Sequence, residues 1–133
     1  GKAEDAEDLL QRGLEVNPDN SSLRLLLSDL YLAQGRAEDS LALFTALADS
    51  DLEPQAHWNM ARSYQEMEKY DQALQEYLLA YQSLQTSPAF LRGMISFAQE
   101  SAQGDLDRQL LEKYLKLVPD DQEMQDLYEQ LRN

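Results

Sequence analysis

The chain has no cysteine, one histidine and one tryptophan among its 133 residues, and only four prolines and five glycines. Without cysteine it holds no disulfide, thiolate nucleophile, Cys-ligated zinc or iron–sulfur cluster, which fits a reducing compartment. Basic residues are scarce as well: 11 Lys and Arg stand against 25 Asp and Glu, a formal net charge of -14. That balance repels the phosphate backbone whose neutralisation supplies most nucleic-acid affinity, so nucleic acid and anionic membrane are poor partners. No apolar run approaches the roughly 20 residues of a membrane span, and no charged-then-apolar leader opens the chain. The expected location is cytoplasmic, although an upstream signal or anchor stays open because Gly1 falls inside the repeat described next.

What is present is regular. A hydrophobic content of 43% suits a folded protein. The apolar residues recur at three and four, the spacing of one helical face, and no stretch alternates like a strand. The pattern also repeats. Ala6, Ser40 and Ala73 align with one another, as do Leu10, Phe44 and Tyr77, and Gly13, Leu47 and Ala80, at about 34 residues. Leu111 and Tyr114 continue the last two series. Pro54 and Pro88, 34 apart, each open a helix, where the missing N–H costs nothing, and Ser87 is placed to cap the second.

Residues 54–87 carry the fullest version. His57, Met60, Ala61 and Tyr64 fall on its first helix, and Tyr70, Ala73, Tyr77 and Ala80 on its second. This pattern resembles the tetratricopeptide repeat family, whose unit is a helix, a tight turn and an antiparallel second helix. The resemblance implies an all-α superhelix of antiparallel hairpins, about seven helices, forming a single domain over 1–133. Residues 1–20 are then the second helix of a cut repeat, 21–53 a repeat with Arg24 in a slot usually large and apolar, and 54–87 the best match. Residues 88–119 are degenerate: Ile95 and Asp107 replace small residues, and the turn Gln103-Gly104-Asp105 comes about two residues late, so a longer first helix is expected. Residues 120–133 read as a C-terminal capping helix, opened by a capping box of Asp120 with Glu123 and striped by Met124, Leu127, Tyr128 and Leu131. An absent upstream helix is expected to leave Leu9, Leu10, Leu14 and Val16 as a sticky face open to self-association.

Residues for catalysis or metal binding are few. His57 occupies a packing slot and has no second His or Cys at a helical spacing to share zinc. Asp49, Asp51 and Glu53 alternate like the opening of a calcium loop, but Pro54 replaces the required glycine and Met60 the bidentate Glu, so a solvated loop is expected. No glycine-rich phosphate loop occurs. The reading is a non-enzyme with no cofactor and no metal.

The family generally holds peptides or partner helices on the concave surface lined by each unit's first helix. Carried onto this sequence, that surface takes Gln55, Trp58, Asn59, Arg62 and Gln65 from one unit, Arg92, Ser96 and Gln99 from the next, and Ser22, Leu25, Asp29 and Leu32 from the previous one. Trp58 is either a contact residue or ordinary packing. Arg62 and Arg92, beside Asn59, either hold a carboxylate or peptide backbone or balance Glu66 and other acids. Of the family's basic and amide set that grips acidic chaperone tails, Asn59 alone matches; Leu25 and Asp29 stand where Lys and Asn are expected. The expected function is a protein-interaction scaffold with an unidentified protein or peptide partner. The alternative is a sensory or docking arm of a longer enzyme or transcription regulator whose active domain lies upstream of Gly1.

Overall fold

The structure, a computed structural model, describes residues 1–45, 47 and 52–132. Among them eight helices occur and no strand: α1 (Lys2–Val16), α2 (Ser21–Ala33), α3 (Ala37–Thr45), α4 (Pro54–Glu66), α5 (Tyr70–Leu84), α6 (Pro88–Glu100), α7 (Leu106–Leu117) and α8 (Gln122–Arg132). This is one more than expected, because a half-unit, three hairpins and a cap add up to eight. No helix among the described residues is long and apolar enough to cross a membrane. The chain divides into two compact units, Gly1–Ala80 and Tyr81–Asn133.

In the first unit α1 packs on α2, α2 on α3 and α4, and α3 on α4. Of the residues named from the repeat, Phe44, Met60, Ala61, Ala73 and Tyr77 are buried in its core, and Leu27 of α2 is buried with them. Arg24 fits its apolar slot by facing carbonyls instead of side chains. Its guanidinium donates to Pro18 O (2.7 Å) and Leu43 O (2.7 Å), tying the start of α2 to the end of α3. Arg36 lies 4.2 Å over the Tyr31 ring and donates to Glu7 and Asp39, which joins α1 to the α2–α3 turn. On α1, Leu9 and Val16 are exposed, whereas Leu10 and Leu14 are half-buried, so the open apolar face is narrower than the sequence implies.

In the second unit α6 packs on α7, and α7 on α8. Six residues of α6 are buried, Ile95 among them, with Leu110, Leu111 and Tyr114 of α7 and Met124 of α8. A helix buried over so much of its circumference is a core element, and a large Ile95 in place of a small residue fits that setting.

Helix ends explain the register. Phe90 N donates to the Ser87 hydroxyl at 3.2 Å, and Pro54 and Pro88 sit in the first turns of α4 and α6. The cap of α8 is Asp121, whose Oδ1 accepts from Met124 N at 3.2 Å, one residue later than the expected Asp120. Glu123 therefore sits too early in the helix to complete a capping box.

The third hairpin also corrects the sequence reading. Left-handed residues occur at Gly35, Glu68 and Ala102, spaced by 33 and 34 residues. Each is followed by a residue whose N–H reaches five back: Arg36 to Tyr31 (2.8 Å), Lys69 to Tyr64 (2.9 Å) and Gln103 to Ala98 (3.2 Å). These are Schellman closures, so α6 ends in register and has 13 residues, as α4 does. The late signal at Gly104 marks a second left-handed residue in a longer turn, not a longer helix.

A left-handed residue with a Cβ costs roughly 1–2 kcal/mol, partly offset by the extra unfolded freedom of glycine. Glu68→Gly and Ala102→Gly should therefore each raise stability, by up to about 1 kcal/mol. Gly35→Ala should lower it similarly, since no neighbour lies within 4 Å and only the backbone resists. Urea unfolding of the three variants checks this; no gain at Glu68 or Ala102 would remove the strain argument.

Candidate functional site

The predicted lining residues divide between the two units. Leu25, Asp29, Trp58, Asn59, Arg62 and Gln65 belong to the first, and Arg92, Ser96 and Gln99 to the second.

In the first unit the packed helices α2 and α4 carry the set. Asn59 is not an open lining residue: it is fully buried. Its Nδ2 donates to Ser28 Oγ and to Asp29 Oδ1, each at 3.0 Å, and its Oδ1 accepts from Gln55 Nε2 at 3.2 Å. Ser28 in turn shares a 2.6 Å bond with Ser40. Both amide donors are thus occupied, and Asn59 fastens α4 to α2 instead of reading a ligand. Leu32 is likewise buried, at 7% exposure.

What remains open is smaller. Trp58 and Leu25 are half-buried, and Leu25 packs against a core cluster of Phe44, Ala56 and Met60. Asp29 and Arg62 expose 54% and 42% of their side chains and approach to 3.7 Å, so Arg62 balances Asp29 and not Glu66. Pairs this exposed are worth little in stability, which leaves both groups available for exchange with a ligand. Gln65 accepts from the Tyr77 hydroxyl at 2.6 Å. His57 is paired too, its Nδ1 2.6 Å from Glu76 Oε2, in a partly buried α4–α5 contact.

A pocket of about 230 Å³ that the sequence did not announce opens beside Leu25. Phe44, Leu47, Leu52 and Ala56 line it, with Asp19, Ser21, Arg24 and Glu53. The one available signal was Arg24, a cation in a slot the repeat fills with a large apolar side chain. Asp49 and Asp51 of the rejected calcium pattern lie outside the described residues; Glu53 is exposed and accepts from Ser21 at 3.1 Å.

In the second unit Ser96 and Gln99 are exposed on α6, but Arg92 is engaged. Its Nε donates to the Tyr114 hydroxyl (3.0 Å) and its Nη2 to Asp121 Oδ2 (2.5 Å), which also accepts from Tyr114 at 2.6 Å. The balancing role holds, with Asp121 as the acid. The Tyr114 hydroxyl is the largest influence holding the Asp121 carboxyl below its ordinary range, helped by Met124 N–H and Arg92 against partial burial. The stability this gives is complete above the ordinary carboxylate pKa and lost as pH falls through the lowered folded value. Wild type should therefore lose helicity below about pH 4, whereas Asp121→Asn, less stable at pH 7, should show a shallower acid decline. Circular dichroism between neutral and acid pH reads both, and parallel acid limbs would remove the assignment.

The family described as YpiA-like, C-terminal tetratricopeptide repeats matches residues 54–121, and a tetratricopeptide repeat family matches residues 1–63. The chain belongs to the tetratricopeptide repeat family. It is similar to the TPR repeat-containing protein YpiA of Bacillus subtilis (strain 168), with 25% identity over 127 residues, 95% of this chain. The match covers 30% of YpiA, so the chain spans less than a third of that relative's length. Tetratricopeptide repeats generally mediate protein–protein interaction and are typically non-catalytic scaffolds.

Proposed function

We propose that this tetratricopeptide chain is a non-enzymatic interaction module that holds a peptide or helix of a protein partner along the α2–α4 face of its first unit. The observation that carries the reading is the half-open set of Leu25, Asp29, Trp58 and Arg62 on two helices fixed together from beneath by Asn59. A rigid support lowers the ordering cost of binding, and a tryptophan at the edge of burial is the residue type that dominates binding hot spots.

Wild type and Trp58→Ala, used as baits in lysate of the source organism, test this. A partner held by wild type should bind Trp58→Ala with a loss of about 2 kcal/mol, near thirtyfold, by calorimetry. Equal affinity for both would move docking off this face. The second reading, a docking arm of a longer enzyme or regulator, is favoured by the share of YpiA that the chain leaves uncovered. Under it, the captured partner is a substrate of the full-length protein and is altered by it.

A further inference from the structure

The chemistry of the α2–α4 face narrows the kind of partner. An amide and arginine set would fit an acidic segment, but the Asn59 amide is occupied and Arg62 already faces Asp29. An incoming carboxylate would have to displace Asp29. Asp29 itself is open: Asn59 fixes its Oδ1 at 3.0 Å, and among the described residues its Oδ2 has no partner. One helical turn earlier on α2, Leu25 borders the pocket of about 230 Å³, whose apolar wall is Phe44, Leu52 and Ala56. Asp19 and Glu53 stand at that pocket, while Arg24, the one cation among its described lining residues, is turned onto the carbonyls of Pro18 and Leu43. The net charge of -14 adds a field that draws cations and repels acids.

We infer that the α2–α4 face binds a basic amphipathic segment of a protein partner, seating one bulky apolar side chain in the pocket beside Leu25 and a Lys or Arg on Asp29. This rests on the reading of that face as the docking surface. The cation replaces Arg62 as the neighbour of Asp29, and the apolar side chain covers the half-buried Leu25, Leu47 and Leu52. Spacing on the ligand follows from spacing on α2: the basic residue lies about one helical turn from the apolar one.

Selection of phage-displayed random dodecapeptides on the whole chain supplies the probes. Enriched peptides are then titrated by fluorescence anisotropy against wild type, Asp29→Asn, Arg62→Gln, Leu25→Asp and Trp58→Ala, each first checked for helicity. Asp29→Asn keeps the acceptor for Asn59 and removes only the charge. The expected peptides pair Lys or Arg with a bulky apolar residue; Asp29→Asn weakens them about tenfold, and Arg62→Gln tightens them. Acidic peptides that weaken with Arg62→Gln and keep their dependence on Trp58 would overturn the inferred charge and leave the docking face standing. Peptides indifferent to all four substitutions, or no enrichment at all, would overturn both.

Discussion

Asn59→Asp is expected to cost about 3–5 kcal/mol of stability at neutral pH, because it buries a second carboxylate against Asp29 Oδ1, where the amide donated at 3.0 Å. Ser28 loses its amide donor at the same time. The new group is buried beside a like charge, so its folded pKa is raised above its unfolded value. The folded state then binds more protons, and the penalty should shrink as pH falls through that raised value. Urea unfolding at pH 7 and again near 5.5 checks the sign. A variant that weakens further on acidification would mean that Asn59 does not face Asp29 in solution.

Phe97→Ala should cost about 3–5 kcal/mol, since Phe97 is fully buried in α6 and its removal leaves a cavity in a core where neighbours only partly collapse. Against the 5–15 kcal/mol typical of a folded domain, that is a large share. Leu117→Ala is the control. At 42% exposure Leu117 should change stability by less than about 0.5 kcal/mol. A loss at Phe97 no larger than the one at Leu117 would show that α6 is not the centre of the second unit.

Repetition makes most of the fold legible in the sequence. The series through Ala73, Tyr77 and Ala80 predicted buried residues, and all three are fully or almost fully buried, because close-packed helices demand small and large residues at fixed steps. Pro54, Pro88 and Ser87 marked helix starts correctly because their effects are local. The third turn was misread since Gly104 is the stronger left-handed signal in sequence, while the chain closes α6 with Ala102. Nothing in the local chemistry of alanine announces that role; the closure of the whole hairpin imposes it.

The binding face was less legible. Helical spacing placed Asn59 beside Trp58 and Arg62, and spacing alone does not tell which of two neighbouring positions a second helix covers. Its burial depends on Ser28, Asp29 and Gln55 meeting one amide across and along two helices. For Arg92 the sequence left a ligand contact and a balance against Glu66 or other acids both open, because the acid it meets, Asp121, lies 29 positions away in sequence. The pocket beside Leu25 escaped for the same reason: its wall draws on three helices and the segments between them.

The closure of α6 at Ala102, followed by further turn residues before Leu106, separates the length of this connection from the register of the helices it joins. Lengthening a surface connection costs only about 0.6 kcal/mol per doubling, so residues can be added after Gln103 without moving a core side chain. That turn is a natural port for a fluorophore, a tag or a whole grafted loop, and a ready place for related chains to differ in length.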